Sequence, residues 1–128
     1  MSEKELKPTE SELEILQVLW EKGPSLVHTV NDKLSKSRDI GYTTTLKLMQ
    51  IMTEKGLLSR TKEGRGHIYH PEVEKSDTQK QLLDKVLNGI FGGSASTLVM
   101  QALGNHKASD EELNEIKNYI NQLEGGKS

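Results

Sequence analysis

Leu13, Leu16 and Trp20 recur at helical spacing near the start of the chain, and Ile15 and Leu19 widen the stripe. Just ahead of them, Thr9-Glu10-Ser11-Glu12 fits a capping box, in which a Thr hydroxyl and a Glu carboxylate each satisfy an orphan backbone N–H. Gly23-Pro24 stops this first helix. Ser25 is the expected N-cap of a second, whose buried face is Val27, Val30 and Leu34. A third helix is predicted within GYTTTLKLMQIMTEKGLL (Gly41–Leu58), ended by Gly56. At 100° per residue, Thr45, Leu48, Met49 and Met52 share its buried side. Thr43, Lys47, Gln50 and Glu54 lie opposite, with Thr44 and Ile51 along one edge.

After Gly56 the helical period is lost. LLSRTKEGRGHIYHP reads as two short strands, about Leu57–Lys62 and Arg65–His70, joined by a Glu-Gly turn and closed by Pro71. From Glu72 the character shifts again, to three helices at about Thr78–Phe91, Ser94–Leu103 and Ser109–Leu123, separated by Gly92-Gly93 and Gly104-Asn105. Ser109-Asp110-Glu111-Glu112 is a second capping box. Leu113, Ile116, Ile120 and Leu123 then space as a, d, a, d, the pattern of a narrow seam against a partner helix. The expected fold is mainly α. A three-helix winged helix-turn-helix with a β-hairpin wing occupies residues 1–72, and a small all-α dimerisation region occupies residues 73–128. Leu82, Val86, Phe91 and Leu98 join the four seam residues as its expected contacts.

Composition agrees with small cores and with pairing. Only 33% of the 128 residues are hydrophobic and 4% aromatic, and modules below about 70 residues are marginal alone. With no cysteine there is no disulfide and no thiolate metal site. The start, MSEKELKP, has no apolar h-region, and runs such as ILQVLW fall far short of the roughly 20 residues of a membrane helix. A cytoplasmic protein without direct membrane binding is the expectation.

Net charge is −2, yet the charge is segregated. Between Lys33 and His70, Lys33, Lys36, Arg38, Lys47, Lys55, Arg60, Lys62 and Arg65 face only Asp39, Glu54 and Glu63, a local excess of five positive charges. The third helix, about 14 residues and so about 21 Å long, suits a DNA major groove. Thr43 and Thr44 reach phosphate or base edges, Lys47 guanine or phosphate, Gln50 adenine, and Ile51 a thymine methyl. An ordinary solvated face is the alternative for this helix taken alone. The basic hairpin favours DNA, because Arg60, Lys62 and Arg65 are placed to grip phosphates. Glu54 is a cost near DNA and is expected at the groove edge.

Other chemistries find little support. His67 and His70 sit three apart on a strand, point to opposite faces and do not share a metal. Trp20 reads as core. No phosphate loop, nucleophile elbow or paired-carboxylate motif is present, so neither an enzyme nor a cofactor is expected. The other reading is a winged-helix protein-interaction module without sequence-specific DNA binding, which the basic stretch disfavours.

YTTTLKLMQIMTEKGLLSRTKEGRGHIYHP followed by LNGIFGGSASTLV resembles the BlaI/MecI penicillinase-repressor family, related to the CopY copper-responsive repressors. The resemblance runs from Pro8 to Leu123. It implies a homodimeric repressor on dyad-symmetric double-stranded operators. In the antibiotic-resistance branch it further implies a membrane-bound sensor metalloprotease that detects β-lactam and triggers cleavage of the repressor. The scissile Asn–Phe of those repressors aligns with Gln101–Ala102, where Ala replaces the ring, and a plain core helix over Leu98–Leu103 is the alternative. Members often carry Arg where Ile51 stands. The copper branch carries a cysteine cluster that this chain lacks.

Overall fold

Thr9 opens the first helix as its neighbours require: its hydroxyl accepts from the Glu12 N–H at 3.2 Å, and the Glu12 carboxylate accepts from the Thr9 N–H at 3.0 Å. The computed structural model describes residues 7–125. Most of the charged start MSEKELKP therefore lies outside the described residues. The elements are α1 (Glu10–Lys22), α2 (Val27–Leu34), α3 (Tyr42–Lys55), β1 (Leu58–Glu63), β2 (Gly66–Pro71), α4 (Lys75–Asn88), α5 (Ala95–Asn105) and α6 (Asp110–Gly125). Two compact units divide between Leu82 and Leu83, inside α4.

The first unit is built on Ile15, Leu16 and Leu19 of α1, Val30 and Leu34 of α2, Met49 and Met52 of α3, and Leu57, Leu58 and Tyr69 around the hairpin. Leu48 and Trp20 are half-buried against this core. The Trp20 indole N–H donates to the Val73 carbonyl at 3.0 Å. Thr45, fully buried on α3, accepts from Asn31 Nδ2 at 2.8 Å, and the same amide reaches the Ile40 carbonyl at 3.0 Å. Ser35 Oγ donates to that carbonyl too, at 3.1 Å, so α2 holds the turn that launches α3. Gly56 ends α3 in the left-handed region, at φ +88°, where glycine carries no Cβ penalty.

Ser25 is not the N-cap of α2. Leu26 holds that position without a side-chain bond, while Ser25 forms an isolated β-bridge with Tyr69. Ser25 N donates to Tyr69 O at 3.2 Å, Tyr69 N returns a bond to Ser25 O at 2.8 Å, and the Ser25 hydroxyl donates to the Gly23 carbonyl. A long-range backbone pairing has displaced the local cap preference. The hairpin is shifted by one residue from expectation: Glu63 pairs with Gly66, and the loop is Gly64-Arg65. Gly64, at φ +60°, takes the first central position of the turn, the place glycine holds in II′ hairpins.

In the second unit, α5 starts at Ser94, whose hydroxyl accepts from the Thr97 N–H at 3.2 Å. Gly92-Gly93 precede it, both with positive φ. Gly104-Asn105 do not separate helices as expected but end α5, so the break falls at His106–Ser109. Only half of the second capping box forms as written. The Glu112 N–H donates to Ser109 Oγ at 3.0 Å, whereas the Glu112 carboxylate meets His106 Nε2 at 3.2 Å. From Gln79 to Gly125 no residue is buried.

Candidate nucleic-acid interface

Because Thr45, Met49 and Met52 are pinned inward, the opposite side of α3 faces out. Thr43, Lys47, Gln50 and Glu54 are all exposed, within an arc of about 60° at 100° per residue. Thr44 and Ile51 are exposed beside them. Among the described residues up to Leu82, the large apolar side chains left exposed are Tyr42 and Ile51, both on α3. The start of α3 also differs from that of α1. Its N-cap is Gly41, with no side-chain cap, and its first turn carries no acid. The first-turn N–H groups, at the positive end of the helix dipole, are therefore left to an acceptor other than a capping side chain.

The wing lies along one flank of this face. Leu58, Arg60 and Lys62 share one side of β1, opposite Pro71, Tyr69 and His67 of β2. That side begins in the core at Leu58 and runs out of it, leaving Arg60 and Lys62 exposed. Arg60 lines a groove of about 230 Å³ with Gln50, Thr53 and Glu54. Its Nη1 donates to the Tyr69 hydroxyl at 3.4 Å. Further along, Arg65 and Glu63 at the wing tip share a cleft of about 420 Å³ with Tyr42 and Leu46 of α3, His28 of α2, and His67. The structure thus brings Gln50 and Arg60 to one groove. Tyr42 and His28 join the surface without having been singled out in the sequence, although Tyr42 directly follows the capless Gly41, and His67, weighed above only as a metal ligand, joins them.

Ion pairing sorts the basic stretch in two. Lys55 holds the buried Glu12 carboxylate through both oxygens at 2.8 Å, Arg38 meets Glu14 at 2.8 Å, and Lys33 lies 3.8 Å from Glu21. All three acids belong to α1, so these cations fasten the helices together. Among the described residues, Lys36, Lys47, Arg60, Lys62 and Arg65 form no ion pair. All of these but Lys36 lie on the open face of α3 and on the wing, beside the unpaired acids Glu54 and Glu63, so these surfaces together keep an excess of two positive charges, carried by the wing.

Of the residues expected at a dimer contact, Leu82, Phe91, Leu98, Leu113 and Ile116 are half-buried, and Val86, Ile120 and Leu123 are exposed. Leu83, Ile90, Val99, Met100 and Tyr119 add exposed apolar surface that the heptad reading had not included, with Ile90 85% and Met100 72% exposed. Gln101 and Ala102 lie on α5, both exposed.

His67 sits edge-on to Tyr69 with ring centroids 6.4 Å apart, and His70 Nε2 meets Thr61 Oγ1 at 3.2 Å, so each histidine has its own partner. Among the described residues there is no cluster of three or more metal-ligating side chains, and no helix is long and apolar enough to cross a membrane.

The family model described as penicillinase repressor matches residues 8–122. The penicillinase repressor of Bacillus licheniformis is 28% identical over 114 residues, covering 89% of this chain and 89% of that protein. The methicillin resistance regulatory protein MecI of Mammaliicoccus sciuri is 23% identical over 122 residues, covering 95% and 99%. Among solved structures, the DNA-binding domain of the repressor BlaI superposes with a TM-score of 0.52 at 29% identity, over 59% of this chain and 93% of that one. The monomeric form of Bacillus licheniformis BlaI in complex with the blaP half-operator superposes with a TM-score of 0.50 at 30% identity, over 58% and 90%. These matches, on a three-helix core with a β-hairpin wing, show that the chain belongs to the penicillinase repressor family of winged-helix, DNA-binding transcriptional repressors.

Proposed function

We propose that the chain works in the cytoplasm as a homodimer that silences promoters by holding dyad-symmetric operators, each protomer reading one half-site. The observation that carries this is the placement of Lys47, Arg60, Lys62 and Arg65, cations without ion-pair partners on α3 and the wing. With α3 in the major groove, Thr43, Thr44, Lys47, Gln50 and Ile51 meet bases or nearby phosphates, and Arg60, Lys62 and Arg65 hold the backbone. The half-operator complex of the related BlaI, formed by a monomer, supports one protomer per half-site. Pairing through the second unit is supported by its exposed apolar side chains. In the same reading, a membrane-bound metalloprotease that senses β-lactam relieves repression by cutting at Gln101–Ala102, which α5 presents on the surface, and antibiotic resistance is the regulated process.

A lone winged helix makes few contacts and binds weakly at physiological salt, whereas pairing raises avidity by about 10²–10⁴ with no new contact. Footprinting of the full chain is expected to show two half-sites with centres about 34 Å apart, or a multiple of that. Ile116→Asp with Ile120→Asp places unpartnered charge in the contact. This variant is expected to sediment as a monomer and to lose at least about 10² in operator affinity. A full-strength operator complex formed by that monomer at the same salt refutes the dimer reading.

A further inference from the structure

We propose that Glu54, expected from the sequence to be only a cost at the groove edge, is instead a base-reading residue that selects cytosine in each half-site, an inference resting on the operator-binding reading above. Glu54 lies one turn beyond Gln50 and within about 40° of it around α3, on the face that carries Thr43 and Lys47. It is exposed and shares the groove of about 230 Å³ with Gln50, Thr53 and Arg60. Arg60 shares that groove but forms no ion pair with Glu54, and its Nη1 donates to the Tyr69 hydroxyl at 3.4 Å. Glu12, Glu14 and Glu21 have cation partners that tie α1 to its neighbours. Glu54, like Asp39 and Glu63, has no ion-pair partner among the described residues; what sets it apart from those two is its place on the open face of α3.

An ionised carboxylate only accepts hydrogen bonds. In the major groove the donors available to it are the cytosine N4 and adenine N6 amines. Adenine presents the N7 acceptor beside its amine, which suits an amide that both donates and accepts and repels a carboxylate. Cytosine presents the donor alone. Gln50 is therefore matched to adenine and Glu54 to cytosine. Four residues, roughly 6 Å along α3, separate the two side chains, so they meet different base pairs. The pair specifies a half-site with an adenine and a cytosine at separate positions. A carboxylate at this place also weakens binding wherever no amine meets it, because phosphate oxygens then repel it, and selectivity is gained from both effects.

The test is selection from a randomised duplex library by the full-length chain, comparing wild type with Glu54→Gln and Glu54→Ala. Wild type is expected to enrich cytosine at one position per half-site. Glu54→Gln should move that preference to adenine, and Glu54→Ala should leave the position degenerate, with discrimination there falling by about fivefold to 150-fold. Preferences elsewhere should stay unchanged, and circular dichroism should show both variants folded, since the side chain is exposed. A consensus that does not change, or an affinity gain spread evenly over all sequences, overturns the inference and leaves the operator reading standing. A wild-type chain that enriches no sequence overturns both.

Discussion

The sorting of charge by ion pairing can be read directly in the salt dependence of DNA binding. Four of the unpaired cations, Lys47, Arg60, Lys62 and Arg65, lie on α3 and the wing. If each meets one phosphate, a dimer neutralises about eight phosphates, and log affinity should fall against log salt with a slope of about −7. Between about 50 mM and 200 mM salt that amounts to a loss of about 10⁴ in affinity. Arg65→Ala removes two contacts per dimer and should make the slope shallower by about 2. Lys47→Ala should do the same, with an added loss of base preference if the ammonium also reads guanine. Arg38→Gln is the control: that guanidinium is held by Glu14 at 2.8 Å, so the slope should match wild type. Fluorescence anisotropy of a labelled duplex across a salt series, with the chain kept dimeric, measures all four slopes. The reasoning fails if Arg38→Gln lowers the slope as much as Arg65→Ala, or if the wild-type slope is near zero.

Two further outcomes follow from packing. Lys55→Met strands the Glu12 carboxylate, whose side chain is 4% exposed, whereas Glu12→Gln leaves a lysine, 41% exposed, that can turn to water. The first should therefore destabilise the winged helix by about 3 kcal/mol and the second by about 1 kcal/mol, and urea titration showing the reverse order would contradict this account. The second unit, with none of its described residues buried in one copy, should melt at a temperature that rises over about a hundredfold increase in chain concentration, while the winged helix melts independently of concentration. Circular dichroism at the two concentrations separates these transitions, and a second-unit melt that stays fixed would show that it does not depend on pairing.

What could be read from the sequence was set by how local each determinant is. The capping box at Thr9 and the end of α3 at Gly56 depend on residues within one turn, and both form as expected. The faces of α3 followed from its period for the same reason. Ser25 had the right chemistry for a cap, but its backbone is claimed by Tyr69, a partner far along the chain that no local rule identifies. Glu12 shows the same effect in the other direction. Its role in the box was legible, while its second role, holding Lys55 on α3, appears only once α1 and α3 are side by side. The excess of five charges over Lys33–His70 was a true count but an overestimate of what DNA would meet, because α1 supplies partners from outside that window.

The second unit shows where periodicity stops being informative. A heptad reading of α6 puts one seam through Leu113, Ile116, Ile120 and Leu123, yet along that line the first two residues are half-buried and the last two exposed. The remaining exposed apolar residues are spread over all three helices and the turn after α4: Leu83 and Val86, Ile90, Val99 and Met100, then Tyr119. A partner that covers them must contact several helices, which a single-helix period cannot encode. This changes what a cut at Gln101–Ala102 would do. The bond lies inside α5, one residue past Met100, so cleavage divides the apolar surface itself rather than a tether beside it. Val99 and Met100 would remain on the fragment that binds DNA, while Tyr119, Ile120 and Leu123 would leave with the other. The remnants of an 11-residue helix are shorter than the roughly 12–15 residues at which even good sequences become marginally helical in water. Neither fragment would keep the ordered apolar area that pairing requires, and each winged helix would be returned to the weak binding of a single half-site.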